Sequence, residues 1–468
     1  MTVEDTKRET LCDAELRPLP SDSSQSTRAG AEENGKDQLC DPNHADQLDS
    51  TAEARLSGMH PADRPDLDAD ADTPATPTPI TALADDTTSQ PDDSASGVQE
   101  DIFAPSAVRG NVNDEGGAGI AALHRETPLL YSVPLSKKAG CNVWLKLENL
   151  QPSGSFKIRG IGHLCMNAYK KYGPGTHFIN SSGGNAGLAT AYAARQLGCA
   201  ATIVVPLSTS QMMIQKIEQE GAKVIPHGEV WDEADQKARE MVQEDACGVY
   251  VPPFDHPDIW AGNATMMEEV KEQLGMVPDA VVCTVGGGGL MNGVILGMRE
   301  VGWKNVPVVA VETHGANSFQ ASVLAKRLVT LDKIHSICTT LGAKTVSAKS
   351  LELSRIHPVV PFAVNDAMAA DASRLFADDH LMLVESSCGA GLSLFYSGVV
   401  KDAFPGWSER ANVVCVVCGG NIVNLDILQE YRKKYSNPHV IVRSGKGMFL
   451  KMCSSPIEKS EGEGEKVN

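Results

Sequence analysis

The chain carries the segment PSGSFKIRG at residues 152–160, directly after the apolar, strand-like run VWLKLE at residues 143–148. Lys157 follows a Pro/Gly turn, at a place where a helix is expected to begin. An amine held there lies near the positive end of the helix dipole and can be used unprotonated. Such an amine can form a Schiff base with an aldehyde cofactor. Taken alone the motif is weak, because most lysines in such a context are solvated surface residues.

A second motif is a run of four glycines. It follows the apolar strand AVVCTV at residues 280–285 and precedes a helical stretch from Met291 to Arg299. The order strand, glycines, helix lets bare backbone N–H groups converge on a phosphate at a helix N-terminus, with some residues at positive φ. The alternative is a plain glycine turn. A Walker-type loop is excluded, because no Gly-Lys-Ser/Thr follows. The candidate phosphate-binding residues are Gly286, Gly287, Gly288, Gly289 and Leu290.

A third motif, SSGGNAG at residues 181–187, lies between a short strand ending near Asn180 and a helix of small residues from Leu188 to Arg195. Hydroxyls, glycines and an asparagine at a helix start form an anion trap that suits a carboxylate. The alternative is an ordinary helix cap. We call residues 181–187 the substrate loop.

The three motifs, in this order and spacing, resemble those of the fold-type II pyridoxal-phosphate enzymes, most closely the serine/threonine dehydratases of animals. The resemblance implies that Lys157 holds the cofactor and acts as the catalytic residue, and that the glycine run binds the cofactor phosphate. It also implies that Asn185 binds the ring hydroxyl of the cofactor. The substrate carboxylate is assigned to Ser181, Ser182, Gly183, Gly184, Asn185 and Ala186.

Three further cofactor positions follow from the resemblance. Phe156 is expected to cover one face of the ring. Cys338 lies in the loop on the opposite face, where the family commonly has alanine, so it departs from the pattern. Cys418 is expected to face the pyridine nitrogen. A thiol leaves that nitrogen largely unprotonated, which favours β-elimination over transamination.

A monovalent cation site, for K⁺, is also implied by the resemblance. Glu312, Ala316 and Ser318 match its ligands, and a carboxylate, a carbonyl and a hydroxyl suit such an ion. The alternative is a capping glutamate at a strand–helix turn. Glu385 corresponds to the family's Glu-Pro-Ser/Ala segment, with Ser386 in place of the proline.

Composition divides the chain of 468 residues. Residues 1–124 form an acidic extension, and residues 454–468 a similar tail; both are predicted to be disordered, because they are rich in Asp, Glu, Ser and Pro and poor in aromatic residues. Between them strands and helices alternate, which predicts an α/β fold with parallel sheets. The resemblance supplies two open-sheet domains with the cofactor in the cleft. The large domain would take residues 125–157 and 254–453, and the small domain 158–253.

Charge and targeting signals narrow the function. The net charge of −19 argues against a nucleic-acid role. No signal peptide and no run of 18 apolar residues is visible, so no membrane association is expected. The 12 cysteines lack a paired zinc motif, and Cys415 and Cys418 formally match C-x-x-C inside an apolar strand. They are read as reduced, in a cytoplasmic protein. The resemblance implies a homodimer with a role in amino-acid metabolism and gluconeogenesis.

The sequence thus predicts a lyase that deaminates L-serine and L-threonine to a keto acid and ammonia. Three alternatives stay open. A serine racemase has a serine at the loop position of Gly183, and glycine cannot donate a proton there. A β-replacement enzyme would need a pocket for a second substrate. A weakly active, cofactor-retaining binding or regulatory protein would share every motif.

Overall fold

A computed structural model describes residues 121–404, 406–435, 439–444 and 447–452 of this protein. Residues 1–120 of the predicted acidic extension and the tail from residue 454 lie outside the described residues, whereas residues 121–124 are described and Leu123 packs against the core of the smaller sheet. In the described ranges, none of the helices is long and apolar enough to cross a membrane.

Twelve strands form in the described residues. They are β1 Leu129–Tyr131, β2 Asn142–Lys146, β3 His177–Asn180, β4 Ala200–Val205, β5 Lys223–Pro226, β6 Gly248–Tyr250, β7 Ala280–Thr284, β8 Val308–Thr313, β9 Val359–Val364, β10 Asn412–Val416, β11 His439–Ser444 and β12 Gly447–Met452.

Thirteen α-helices alternate with these strands over the same described ranges. They are α1 Val133–Ala139, α2 Lys157–Tyr172, α3 Asn185–Leu197, α4 Gln211–Gln219, α5 Trp231–Glu244, α6 Pro257–Leu274, α7 Gly289–Glu300, α8 Ser318–Ala325, α9 Ala348–Ile356, α10 Asp366–His380, α11 Ser386–Tyr396, α12 Val400–Ala403 and α13 Leu425–Lys434. Two short 3-10 turns occur at Glu148–Leu150 and Thr339–Leu341.

The strands form two open sheets and a hairpin. The larger sheet has the order β1-β2-β10-β7-β8-β9, in which β1 runs antiparallel to β2 and the other neighbours are parallel. The smaller sheet has the order β5-β4-β3-β6 and is parallel throughout. β11 and β12 form the antiparallel hairpin. Strands β7 and β8 are buried at every residue, as expected for a parallel sheet covered by helices on both faces.

Helix α6 positions the two helices that begin at the lysine and at the glycine run. A Cβ on Gly160 of α2 would lie 2.5 Å from an atom of α6, and a Cβ on Gly262 of α6 would lie 2.3 Å from an atom of α2. On another part of α6, Cβ atoms on Gly293 and Gly297 of α7 would each lie 2.3 Å from α6. Glycines at these four positions therefore let α2 and α7 pack closely on one common helix.

A buried ion cluster ties α2 to β2 and α6. Arg159, fully buried, donates two hydrogen bonds to Glu148 at 2.7 and 2.8 Å and two to Glu269 at 2.6 and 2.7 Å. Lys146, also fully buried, donates to Glu269 at 2.5 Å and to the carbonyl of Thr127 at 2.6 Å. Two cations thus face two carboxylates, so the cluster is balanced in charge.

The predicted α/β class with parallel sheets is confirmed, and most predicted elements end within two residues of the observed ones. The predicted strand at residues 248–252 ends at Tyr250. The predicted small-domain range of 158–253 encloses the whole four-stranded sheet, and its first boundary falls inside α2, after Lys157. The domain boundaries themselves stay a prediction.

Candidate active site

The Lys157 amine lies beside the backbone of a neighbouring loop. Helix α2 begins at Lys157, and its Nζ donates a hydrogen bond of 2.6 Å to the carbonyl oxygen of Pro253. Burial lowers the pKa of Lys157 to about 8, while Glu385 and Cys418 act to raise it. Burial, rather than the helix dipole expected from the sequence, is therefore the main cause of the lowered pKa. The unprotonated amine is accessible near neutral pH.

The glycine run connects β7 to α7, and α7 begins at Gly289, two residues earlier than predicted. Gly288 has φ of +92°, a conformation that favours glycine. A Cβ on Gly287 would lie 2.3 Å from the ring of Phe254, and one on Gly288 would lie 2.0 Å from Oγ of Ser350. The connection therefore presents backbone rather than side chains at the N-terminus of α7, as a phosphate site requires. It contains all the predicted residues Gly286, Gly287, Gly288, Gly289 and Leu290.

The substrate loop connects β3 to α3, and α3 begins at Asn185. The N–H of Ser182 donates to Oδ1 of Asn180 at 2.7 Å, and Oγ of Ser182 accepts from the N–H of Gly184 at 3.3 Å. Ala186, 3% exposed, lies in the first turn of α3. These local bonds place hydroxyl and amide groups around a helix N-terminus, an arrangement that suits a carboxylate.

Two residues of the substrate loop are held by other parts of the four-stranded sheet and its helices. The hydroxyl of Ser181 donates to Asp235 at 2.7 Å and lies 3.4 Å from the hydroxyl of Tyr250. Gly183 lies against Thr209, because a Cβ there would be 2.5 Å from Oγ1 and 2.6 Å from Cγ2 of Thr209. The Ser181 side chain is therefore engaged away from Asn185, and the space beside Gly183 is filled.

Asn185 is bound at both ends of its amide. Its Nδ2 donates to the two carboxylate oxygens of Glu385 at 3.1 and 3.0 Å. Its Oδ1 accepts from the backbone N–H and from Nδ2 of Asn421 at 2.9 and 3.1 Å. Glu385 also accepts from the hydroxyl of Thr340 and from the N–H of Ile422 at 3.3 Å. The predicted cofactor ligand Asn185 is thus part of a network that spans the two sheets.

Cys418 lies next to the lysine turn. Strand β10 ends at Val416, so Cys418 is outside the strand in which the sequence placed it. Its carbonyl accepts from the N–H of Phe156 at 3.2 Å, and its Sγ lies 3.5 Å from Oγ1 of Thr284. The ring of Phe156 has its centroid 5.3 Å from Nζ of Lys157. The fold therefore brings Phe156, Lys157 and Cys418 together at the end of β7.

Cys338 directly precedes the 3-10 turn Thr339–Leu341. It is fully buried, and burial raises its pKa to about 12. Its N–H donates to Oγ of Ser336 at 3.0 Å. Because Thr340 in the same turn binds Glu385, the loop that carries Cys338 borders the site.

Comparison with known proteins decides the family. The family described as pyridoxal-phosphate dependent enzyme matches residues 120–419, well over half of the chain. This chain belongs to the pyridoxal-phosphate dependent enzymes.

Individual relatives agree with this assignment. The enzyme is 50% identical to the serine dehydratase-like protein of Rattus norvegicus over 312 residues, which cover 66% of this chain and 94% of the relative. It is 48% identical to the L-serine dehydratase/L-threonine deaminase of Mus musculus over 311 residues, with the same coverage of 66% and 94%. The crystal structure of an L-serine ammonia-lyase from Rhizomucor miehei is 52% identical, with a TM-score of 0.65 and coverage of 67% of this chain and 100% of that chain. The predicted resemblance and fold type are confirmed.

The residues at the site of this enzyme fit pyridoxal phosphate. A partly buried amine with a lowered pKa, Lys157, suits the aldehyde. The glycine run before α7 offers the phosphate a helix N-terminus without side chains. The hydroxyl of Ser155, two residues before Lys157, is buried without a hydrogen-bond partner in the described part of the chain. Such an orphaned group is one whose hydrogen bond a polar ligand can supply.

Glu312 acts as a cap at the start of α8. Its carboxylate accepts from the N–H groups of Phe319 and Gln320 at 2.9 and 2.8 Å, and burial raises its pKa to about 8. Oγ of Ser318 is buried and lacks a partner within the described ranges. Ala316 is fully buried beside them. Among the described residues no group of three His, Cys, Asp or Glu side chains could hold a metal. The cation site, which uses other ligand types, stays a prediction.

Sequence reasoning located Glu385 but gave it no role, and it did not single out Thr340, Asn421 or Thr284. Thr340 and Asn421 also stood in segments that resemble the family, and Thr284 in the strand before the glycine run, but none of the three was given a role; the fold brings them together from distant segments. Glu385 stood in a segment that matches the family, which was the available signal.

Proposed function

We propose that this enzyme is an ammonia-lyase that deaminates L-serine and L-threonine by β-elimination, releasing pyruvate or 2-oxobutyrate and ammonia. The observation that carries the proposal is the Lys157 amine, with its lowered pKa, held next to Phe156 and Cys418. The names of the rat, mouse and Rhizomucor relatives support the same chemistry.

Each site residue has a place in the binding of the cofactor. Lys157 would hold the aldehyde, and the glycine run before α7 would hold the phosphate. Asn185 would bind the ring hydroxyl, Phe156 and the Cys338 loop would border the two faces of the ring, and Cys418 would face the pyridine nitrogen. When bound, pyridoxal phosphate supplies an electron sink that acidifies the Cα proton of an attached amino acid.

The residues of the chain perform the remaining tasks. The substrate loop, with its N–H groups at the start of α3, orients the amino acid by its carboxylate. The amino group of the substrate would displace Lys157 from the aldehyde, and the freed amine would take the Cα proton; its pKa of about 8 suits a general base that works near neutral pH. The β-hydroxyl would leave as water by taking up a proton, for which the protonated Lys157 amine is a source, and an enamine would remain. Its tautomer takes up water and yields the keto acid and ammonia.

Cys418 favours elimination over transamination. A thiol is only a weak hydrogen-bond donor, and Sγ of Cys418 lies 3.5 Å from the neutral hydroxyl of Thr284. Opposite a pyridine nitrogen this pair gives less stabilisation of a protonated ring than an aspartate would. A shallower electron sink is sufficient for loss of a β-hydroxyl.

The racemase alternative is less well supported. Racemisation requires a proton donor on the face opposite Lys157, and the loop position in question is Gly183. Gly183 has no side chain, and Thr209 fills the adjacent space, because a Cβ on Gly183 would lie 2.5 Å from Oγ1 of Thr209. We therefore expect D-serine to be a poor substrate and a minor product.

One assay across a panel of amino acids tests the proposed function. The purified, cofactor-loaded enzyme is incubated with L-serine, L-threonine, D-serine and L-alanine, and keto acid, ammonia and D-serine are quantified. We expect keto acid and ammonia in equal amounts from the first two. A cofactor absorbance band that shifts with serine while no keto acid forms would contradict the lyase and support the binding-protein alternative. Consumption of serine only with a second nucleophile would support a β-replacement enzyme.

We further propose that the enzyme is a homodimer, that it is cytoplasmic and that it binds K⁺. Its metabolic role would be the breakdown of amino acids for gluconeogenesis. The free state of the nine described cysteines is consistent with a reducing compartment. Exposed apolar side chains at Tyr131, Val133 and Leu381 lie near one another, because Ser132 and His380 are bonded at 2.8 Å. Such a patch suits an interface between two copies, and sedimentation analysis tests it.

A further inference from the structure

Glu385 is a buried carboxylate at the candidate active site that the mechanism above does not use. It precedes the first residue of α11 and is 4% exposed. Its oxygens accept from Asn185 at 3.1 and 3.0 Å, from the N–H of Ile422 at 3.3 Å, and from the hydroxyl of Thr340. Three donors from three segments fix the carboxylate in one orientation.

These contacts join segments that belong to the two sheets. Asn185 begins α3, which belongs with the four-stranded sheet, whereas Ile422 follows the last strand of the six-stranded sheet. The loop after β10 also wraps around the carboxylate, because a Cβ on Gly420 would lie 2.0 Å from Cδ of Glu385. Asn421 in the same loop binds the other end of the Asn185 amide. Glu385 and the loop after β10 therefore fix the orientation of the Asn185 side chain.

Glu385 also faces the positive charges of the site. Burial lowers the pKa of both Lys157 and Lys216, and Glu385 acts to raise both. Lys216, from α4, donates to the carbonyl of Asn421 at 3.1 Å. Burial raises the pKa of Glu385, against the bonds from Thr340 and Asn185 and the charge of Lys157. The titratable groups facing Glu385 are Lys157, Lys216, Cys338 and Tyr431, and Cys418 also faces Lys157.

We propose that Glu385 is a positioning residue of this enzyme, which fixes the Asn185 amide at the candidate cofactor site and whose charge acts on the Lys157 amine. Glu385 acts through Asn185 and Lys157 and has no role of its own toward the substrate. The inference rests on the proposed role of Lys157 as the cofactor lysine.

Two substitutions separate the charge of Glu385 from its geometry. In Glu385→Gln the amide oxygen can keep the bonds from Asn185 and Ile422, while its NH₂ donates to Thr340, whose hydroxyl turns to Ser387 at 2.5 Å. This variant removes the charge and preserves the shape. Glu385→Asp keeps the charge but withdraws the carboxylate by one methylene from Asn185.

The pKa of Lys157 is measured in cofactor-free protein, by the pH dependence of acylation of its amine followed by mass spectrometry. We expect Glu385→Gln to lower the apparent pKa of Lys157 by about one unit, because an opposite charge nearby is removed. Glu385→Asp should leave that pKa near the wild-type value. It should weaken cofactor binding at least about tenfold, because Asn185 loses the hydrogen bonds to a charged group that fix its amide. Glu352→Gln, an exposed carboxylate on α9, is the matched control and should change neither quantity.

An unchanged or raised Lys157 pKa in Glu385→Gln would overturn the proposal. So would unaltered cofactor binding in Glu385→Asp. If Glu385→Gln fails to fold, Thr340→Val replaces it. Because this variant removes one of the donors that fix the Glu385 carboxylate, it should weaken cofactor binding in the same direction as Glu385→Asp. Because amine labelling needs no turnover, these outcomes are independent of whether the wild type releases keto acid from serine, which tests the proposed function separately.

Discussion

Replacing Arg159 by methionine should destabilise the enzyme strongly, because Arg159 neutralises two buried carboxylates. It is fully buried and makes four hydrogen bonds of 2.6–2.8 Å to Glu148 and Glu269. Removing one partner from a buried ion pair costs about 3–5 kcal/mol. Lys146 remains bonded to Glu269, so Glu148 becomes the uncompensated charge and we expect a loss of about 4 kcal/mol. With a denaturant slope of roughly 3 kcal/mol/M, the urea midpoint should fall by about 1.3 M.

The loss should also depend on pH. Burial acts to raise the pKa of Glu269, but Arg159 and Lys146 outweigh it and hold that pKa below the usual value. A depressed carboxylate pKa contributes stability above the unfolded pKa of about 4.3 that disappears as pH falls. Without Arg159 much of this contribution is absent. The deficit of the variant should therefore be nearly constant above about pH 5 and shrink as pH falls below the unfolded pKa of about 4.3, through the depressed folded pKa of Glu269.

Urea unfolding followed by circular dichroism at pH 7 and pH 4 measures both effects. Arg374→Met is the matched control. Arg374, on α10, pairs with the partly exposed Asp371 and the exposed Asp378, and pairs open to solvent contribute about 0–1 kcal/mol. A loss below about 1 kcal/mol for Arg159→Met, or a deficit that grows as pH falls, would refute the role given to the cluster.

Three further predictions concern function. Gly183→Ser should slow keto-acid release at least about tenfold through its clash with Thr209, and should raise the ratio of D-serine to pyruvate, measured by chiral chromatography. Adding Thr209→Ala should restore part of the rate; comparable D-serine and pyruvate from the unmodified enzyme would contradict this reading. Relative to choline, K⁺ should raise the melting temperature more at pH 8.5 than at pH 6.5. The reason is that the pKa of Glu312 is about 8 and only its ionised form binds a cation. Equal increases in melting temperature at the two pH values would exclude the predicted cation site. A chain of residues 121–468 should keep its cofactor and activity, since the candidate site lies within it; an inactive or cofactor-free product would show that residues 1–120 belong to the working enzyme.

The parts of the site that sequence predicted are those with local signals. A strand, a glycine run and a helix follow one another along the chain, so the glycine run that is proposed to bind the phosphate could be located from residue types alone. The start of α2 at Lys157 could be located in the same way. The turn residues and helix periodicity that mark these elements act over a few residues. Helix α7 begins at Gly289, two residues earlier than predicted. Such local signals misplace the start because glycine is taken as a helix breaker, although it can adopt helical φ and ψ.

The parts that sequence did not predict depend on contacts between distant segments. Asn185 and Glu385 are far apart along the chain, and no periodicity links them. The bond of Ser181 to Asp235, which turns a predicted substrate ligand away from Asn185, is set by the packing of α5 on the small sheet. The lowered pKa of Lys157 was expected from its place on a helix, but burial is its main cause. Burial is a property of the tertiary structure.

The central claim is that Lys157 is the cofactor lysine of a serine-deaminating lyase. The most direct test is reduction of the cofactor-loaded enzyme with borohydride, followed by peptide mapping, with keto-acid release from L-serine measured on the same preparations. Lys170→Ala, an exposed lysine near the other end of α2, is the matched control. We predict that the wild type and Lys170→Ala carry the reduced cofactor on Lys157 and release pyruvate, and that Lys157→Ala does neither. Cofactor fixed on another lysine, or pyruvate released by Lys157→Ala at the wild-type rate, would contradict the account.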